Sequence, residues 1–415
     1  MNKRTIISLL STAALTCALV ACSTDENSTE KQGNKESAQA SASTVAHDKN
    51  EEENEGQKEK QEKESIKFAT YNASLNRKAE GKLIEDLSTP NNEQAGVIAT
   101  IIKSENPDVL VINEFDYDPE GKALKLFQEN YLDNAYKYSF SAEVNTGVDS
   151  GLDLDNNGVL HEANDAWGYG EFPGQYGIAV LSKYPLKTDA LRSFQKLLWK
   201  DMPNNLMPAD YYGANADKLR LSSKSHWDLP VEIGNKEIHL LISHPTPPSF
   251  DGPEKRNGRR NSDEIRLTAD YIHGGKEAEW IVDDQGQRGG LAPDAEFIVF
   301  GDQNSDPRDG GAGFTGVKQL LGQERVVDPK PTSEGAVEAA RQPGNDTHSN
   351  PAENDTADFS DPTPGNLRVD YVLPSRGLNV KGSHVVWPKS DQPLGELMDP
   401  KTSSDHRMVV LEIEP

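Results

Sequence analysis

From Ile66 onward, short apolar runs alternate with amphipathic segments and polar stretches. Residues 66–71 have strand periodicity and end at Asn72, and residues 108–112 form a buried-strand run that stops at Asn113-Glu114. Between them Val97, Ile98, Ile101 and Ile102 fall at helical spacing, which predicts a helix over 93–105 closed by Pro107. Residues 177–181, 238–242, 296–300 and 408–411 are further apolar strands. A second helix is expected to begin near Ser262, with Asp263 and Glu264 complementing the dipole in its first turn. This alternation predicts an α/β body of two packed sheets flanked by helices. Polar inserts interrupt it at about 116–174, 200–228, 246–261 and 325–366. The last is rich in Pro, Asn, Asp and Thr and is expected to be a mobile surface loop. No internal repeat is visible.

The N-terminus follows different rules. A basic start, Lys3-Arg4, precedes an apolar stretch from Ile6 to Val20, which has the proportions of a secretory signal and is short for a membrane span. Leu19-Val20-Ala21-Cys22 resembles a bacterial lipobox, so residues 1–21 are read as a lipoprotein signal and Cys22 as the lipidated residue; a plain signal cleaved nearby is the alternative. Cys17 lies inside the signal, so the exported body keeps no cysteine pair and must rely on its core. Residues 22–64 contain almost nothing apolar and read as a disordered acidic tether, with 12 acidic and 6 basic residues after Cys22. The whole chain carries −25; setting aside the signal's +2 and the tether's −6 leaves −21 on residues 65–415. Such a body argues against tight, unaided nucleic-acid binding, which depends on Lys and Arg at phosphates. It suits soluble exported enzymes and bound divalent cations.

Six candidate groups stand at strand ends: Asn72, Glu114, His244, Asp302 with Asn304, Asp370, and Asp405 with His406. Strand ends on one edge of a layered α/β fold converge on a cleft. Each group alone has a bland reading as a turn or a cap. Together they offer hard oxygen ligands and imidazoles, a combination suited to Mg²⁺ or Mn²⁺ acting on a phosphate ester.

The ordered series over about 65–415 resembles the endonuclease/exonuclease/phosphatase superfamily, the fold of pancreatic deoxyribonuclease and neutral sphingomyelinases. The matching residues are Asn72, Glu114, Gly177 to Pro185, His244, Gly301-Asp302-Gln303-Asn304, Arg368-Val369-Asp370-Tyr371-Val372 and Ser404-Asp405-His406. The resemblance implies a four-layered α/β/β/α sandwich of two mixed sheets flanked by helices. It implies Glu114 as primary metal ligand, Asn72 close to metal or phosphate, and Asp405 supporting the metal site. It further implies Asp302 orienting or deprotonating the attacking water, Asn304 on the phosphate oxygens, His406 oriented by Asp370, and His244 as a second active-site imidazole. Ser74 and Asn113 depart from the pattern, standing where some relatives carry an acidic metal group and a glutamine.

Three further features stay open. Asp153, Asp155 and Asn157, with Gly158, match the opening half of a calcium loop, though position 12 is Asn164; the alternative is an acidic turn. Arg256, Arg259 and Arg260 either clamp a substrate phosphate or pair with Asp251, Glu254, Asp263 and Glu264. His226 either faces a phosphate or belongs to a packed surface turn. The resulting expectation is an exported, membrane-anchored, monomeric phosphoesterase with Mg²⁺ or Mn²⁺ and structural Ca²⁺ as candidate cofactors. An extracellular nuclease acting on DNA or RNA is the alternative within the class. A cell-surface binding protein that lost catalysis is the alternative outside it.

Overall fold

The computed structural model describes residues 65–309 and 313–414; the signal, Cys22 and the tether lie outside them. Among the described residues no helix is long and apolar enough to cross a membrane. The first sheet has six strands in the order β12-β13-β1-β2-β4-β3. These are β1 (Ile66–Leu75), β2 (Val109–Phe115), β3 (Tyr138–Ser141), β4 (Ile178–Ser182), β12 (Asn379–Val385) and β13 (Val409–Glu414). The second has five in the order β11-β8-β7-β6-β5, namely β5 (Arg192–Ser193), β6 (His226–Ile233), β7 (Lys236–Ser243), β8 (Glu296–Asp302) and β11 (Asp370–Pro374). A small ribbon pairs β9 (Ala357–Asp358) with β10 (Asn366–Leu367). Each large sheet is mixed, with one parallel pair, β1 with β2 and β7 with β8.

Alternation within the strands builds the layers. Ile298 and Phe300 of β8 join the core shared with the first sheet, whereas Phe297 and Val299 face the other way. Phe68 meets Phe300 across the sheets at 6.2 Å between ring centroids. Leu83 and Leu87 of α1 (Lys82–Leu87), Ile98 and Ile102 of α2 (Glu93–Glu105) and Phe127 of α3 (Lys122–Tyr131) cover the first sheet's outer face. Ile265 and Ile272 of α5 (Arg256–His273) and Leu320 of α6 (Lys318–Leu321) cover the second. The result is the expected α/β/β/α sandwich. The described residues contain no cysteine, and each fully buried Leu, Ile or Phe contributes about 1.5–3 kcal/mol relative to exposure, so the two cores carry the stability. Two short helices, α4 (Ala209–Tyr212) and α7 (Glu334–Ala339), lie in the inserts.

Helix α2 begins and ends where its pattern predicts, because Asn92 accepts the Ala95 N–H as a side-chain cap. Helix α5 differs from expectation, beginning at Arg256 instead of near Ser262. Its cap stands in the preceding turn: Asp251 accepts the N–H groups of Asn257 and Gly258 at 2.7 and 2.9 Å. Asp263 and Glu264 are therefore buried mid-helix and tie down loops. Asp263 accepts from Trp199 Nε1 and Leu206 N, and Glu264 accepts from Ser223 N and Thr246 N. The insert at 325–366 is likewise no plain surface loop, since it contains α7 and the ribbon and buries Asn354, Asp355, Thr356 and Asn366.

Candidate active site

Strand register gathers the predicted residues. Asn72 pairs with Asn113 between β1 and β2, and Asp370 pairs with Asp302 between β11 and β8, so both sheets present polar residues at one edge. The approach is close at Gly301, whose φ is +126° and whose Cβ, if present, would lie 1.9 Å from the Ser243 carbonyl oxygen. We expect Gly301→Ala to cost roughly 3–5 kcal/mol or prevent folding, through steric overlap and strained backbone. Urea unfolding checks this; a variant within about 1 kcal/mol of wild type would contradict the packing.

Asp302 is the hub. Its Oδ2 lies 3.1 Å from Asn72 Nδ2, 3.3 Å from His244 Nε2 and 3.6 Å from His406 Nε2, while Oδ1 accepts the Asn304 N–H at 2.8 Å. The contact with His244 is within ion-pair reach but poorly aligned, so neither nitrogen of that buried ring has a hydrogen-bond partner. His406 is better held. Its Nδ1 meets Asp370 Oδ2 at 2.9 Å, and the same oxygen accepts the Thr356 hydroxyl at 2.8 Å.

Burial and charge divide the two imidazoles. Burial pushes His244 below its ordinary value, and the neighbouring Lys224 ammonium pushes the same way against Asp302. Burial would also lower His406, but Asp370 and Asp302 overcome it and hold this ring well above the usual range. Burial opposes ionisation of Asp302, yet His406 and His244 keep its carboxyl well below the carboxylate range. Asp370 goes the other way, raised by burial in spite of His406.

Glu114 stands beside this group in a left-handed conformation at φ +58°, as do Ser74 and Asn304 at +48°. Non-glycine residues held there store of order 1–3 kcal/mol and concentrate at functional sites. The Glu114 oxygens accept from Asn72 Nδ2 at 3.2 Å and Asn76 Nδ2 at 2.8 Å, and the carboxylate has no cationic partner among the described residues. Asp405 has no such partner either; its Oδ1 is 3.5 Å from Ser74 Oγ. Asn72, expected beside metal or phosphate, turns its amide nitrogen to two carboxylates and accepts the Ser74 N–H on its oxygen. It bridges the acids. Ligand atoms of Asp302, Asp370 and His406 lie within 4.8 Å of one another, but that trio carries its own imidazole counter-charge and reads as a proton relay.

Glu114, Asp302, Asn304, Asp405 and His406 line a cleft of about 440 Å³. A larger groove of about 1250 Å³ runs beside Trp387 and α7, and none of the predicted residues lines it.

Other expectations fall away from the cleft. None of Arg256, Arg259 and Arg260 lines it. Arg256 donates to Leu154 O and Tyr211 OH, Arg259 to Glu254 O and Leu206 O, and Arg260 to Leu221 O, Trp167 O and Arg220 O. Backbone carbonyls of the inserts, unreadable as partners in sequence, take up most of these donors, and Arg256 also pairs at 3.8 Å with Glu254, one of the expected acidic partners. His226 starts β6 instead of a surface turn, and its ring sits between Ser222 Oγ and the Glu264 carbonyl. In the acidic loop, Asp165 joins Asp153 and Asp155 in a group that could hold a cation. The Asn157 oxygen accepts the Val159 N–H, and its amide nitrogen donates to Asp155 and Glu162.

The structure adds residues that sequence reading missed. Thr356 braces Asp370, Asn76 holds Glu114, and Asn113 accepts the Asp302 N–H at 3.1 Å. Lys224 is buried, with its pKa lowered by burial, and its ammonium has no hydrogen bond or ion pair among the described residues; the charges it senses are Glu264, Glu114 and Asp302. Asn76 had a signal, four residues beyond Asn72 at the end of a strand. Thr356 had none.

No curated protein sequence matches the chain. Among solved structures it is similar to an endonuclease/exonuclease/phosphatase from Beutenbergia cavernae, at 17% identity over 84% of this chain and 71% of that one, TM-score 0.48. It is also similar to sphingomyelinase C from Streptomyces griseocarneus, at 16% identity over 84% and 99% of the two chains, TM-score 0.45. The model of the endonuclease/exonuclease/phosphatase family matches residues 69–406, a span that runs from β1 through His406 and takes in every strand-end group of the cleft. The chain belongs to the endonuclease/exonuclease/phosphatase family.

Proposed function

We propose that this protein is an exported, metal-dependent phosphoesterase that hydrolyses a phosphate ester by in-line attack of water. The observation that carries the reading is the pair of imidazoles on Asp302 Oδ2, His244 Nε2 at 3.3 Å and His406 Nε2 at 3.6 Å, with burial lowering the pKa of the first and Asp370 and Asp302 raising that of the second. Two titratable groups pushed apart by their surroundings make an acid–base pair.

Glu114 and Asp405, with Asn72 beside them, would hold Mg²⁺ or Mn²⁺. The fit rests on oxygen donors without cationic partners, since Mg²⁺ takes one or two carboxylates and completes its shell with water and substrate phosphate. When bound, the ion supplies Lewis-acid polarisation of the phosphoryl group and eases deprotonation of water. The chain's own residues do the rest. Asp302, held ionised, is a weak base and serves to orient the water and steady the rings. Neutral His244 accepts the water proton as the new O–P bond forms. His406, positioned by Asp370 and Thr356, gives its proton to the leaving oxygen as the old P–O bond breaks. Asn304 faces the phosphate oxygens from the cleft wall, and buried Lys224, which senses the charges of Glu114 and Asp302, lies near these carboxylates without lining the cleft. One ester and one water thus yield one phosphate product and one alcohol.

Activity should be bell-shaped in pH. It falls on the acid side as His244 protonates, at a pH below the ordinary 6.5, and on the alkaline side as His406 deprotonates, well above 6.5. A rate profile with a single limb would contradict the division of labour. The class itself is tested with purified protein, Mg²⁺ or Mn²⁺, and a panel of plasmid DNA, RNA, bis-p-nitrophenyl phosphate, phytate and sphingomyelin. Hydrolysis of at least one is expected; inertness toward all would overturn the reading. Lipidation at Cys22 is supported by the Leu19-Val20-Ala21-Cys22 pattern, and palmitate labelling lost in Cys22→Ala tests it.

A further inference from the structure

The walls of the cleft are unlike its floor. Around the catalytic groups stand Pro247, Pro248, Phe250, Phe314, Phe359 and Leu367. Among the described residues, the charged groups of the lining are Glu114, Asp302, Asp306 and Asp405, His406 is its sole basic residue, and no lysine or arginine takes part. Phe250 is 96% exposed at the mouth, the most exposed large hydrophobic side chain among the described residues. Its placement is built. It sits at φ +58°, an unfavourable conformation for a bulky residue, on a loop stiffened by two prolines. Asp251 pins that loop to the start of α5, and Asn257 Nδ2 donates to the Ser249 carbonyl at 2.7 Å. Phe359 meets the His406 ring edge-on at 5.2 Å, which brings an apolar face directly beside the leaving-group acid. Phe314 is backed by the Arg259 guanidinium, 5.7 Å from its centroid.

Resting on the phosphoesterase reading, we infer that the substrate is a diester with a single phosphate and an apolar alkyl or aryl ester group, which the wall of Phe250, Phe314 and Phe359 covers. The charge arrangement favours this class over polyanions. A polynucleotide or a polyphosphorylated ring brings further phosphates that need Lys or Arg along their path, and this lining offers carboxylates. The single imidazole of the described lining, His406, matches one phosphate. An apolar group meanwhile gains by leaving water, by a factor of about four for each methylene fully covered.

The test uses a series of alkyl p-nitrophenyl phosphates, methyl through hexyl and phenyl, in which the leaving group stays constant. In the wild type, kcat/KM should rise from methyl to hexyl by at least about 30-fold, which two to three covered methylenes supply. In Phe250→Ala and Phe314→Ala the hexyl-to-methyl ratio should drop by roughly tenfold. The ratio is internal to each variant, so a change in active fraction cancels, and Phe250 is too exposed for its loss to unfold the protein. Comparing the soluble hexyl ester with sphingomyelin vesicles tells a free ester from a lipid-borne one; preference for either upholds the class. A flat series, ratios unchanged in both variants, or faster cleavage of DNA, RNA or phytate than of the hexyl ester overturns the inference and leaves the phosphoesterase reading standing. Inertness toward both the series and the earlier panel overturns that reading itself.

Discussion

Asp302→Ala is expected to lower kcat/KM by roughly 10³- to 10⁴-fold, because one substitution disables the water-orienting carboxylate and both proton carriers. Without it the nearest partner of His244 disappears, Asn72 loses one of its two carboxylates, and His406 loses part of the charge that keeps it protonated. Asp302→Asn separates these effects. It keeps the shape and removes the charge, so it should be nearly as inactive, and its residual alkaline limb should move to lower pH as His406 gives up its proton more easily. Steady-state kinetics across pH, with circular dichroism as the control for folding, checks both variants. A folded Asp302→Ala protein retaining more than about a tenth of wild-type activity would remove Asp302 from the centre of the mechanism.

The second large effect is expected at Glu114. Glu114→Gln preserves length and the strained backbone while removing the negative charge, and should cost about 10²- to 10³-fold in kcat/KM at fixed Mg²⁺, since a rate loss of tenfold corresponds to about 1.4 kcal/mol. Raising Mg²⁺ should restore part of that loss. Calorimetry gives a readout independent of catalysis: the wild type should bind Mg²⁺ in a titration that Glu114→Gln shifts to weaker affinity. Unaltered binding in the variant would place the ion elsewhere. The αL conformation gives this position added weight, because a strained carboxylate in a strand would otherwise be replaced by Gly or Asn at a gain in stability.

Much of the site was legible in one dimension because its residues end strands. An apolar run announces a strand, the polar residues at either end of it mark the edge, and a sheet brings edges together; Asn72, Glu114, Asp302, Asp370 and His406 were all found in this way. The arginine cluster stayed open in sequence for a related reason. A cation in sequence advertises charge without direction, and here backbone carbonyls of residues up to 102 positions away took the guanidinium groups. Thr356 lies in an insert with no periodicity, so nothing marked it before Asp370 accepted its hydroxyl.

By itself the sequence determined six strands of the two sheets, the extent of α2, the acidic character of the body and the roster of strand-end groups, since each follows from local periodicity, capping or composition; it passed over α3 and β3, which lie in the stretch read as a polar insert at 116–174. Tertiary structure alone decided what those groups do. Whether an imidazole is neutral or charged depends on burial and on carboxylates many residues away, and these set His244 and His406 apart. The start of α5 depended on Asp251 folding back as a cap, and the apolar wall on inserts that return to the cleft mouth. The wall is a long-range placement that no local pattern encodes, whereas the cap is a local turn whose spacing matches no standard capping box.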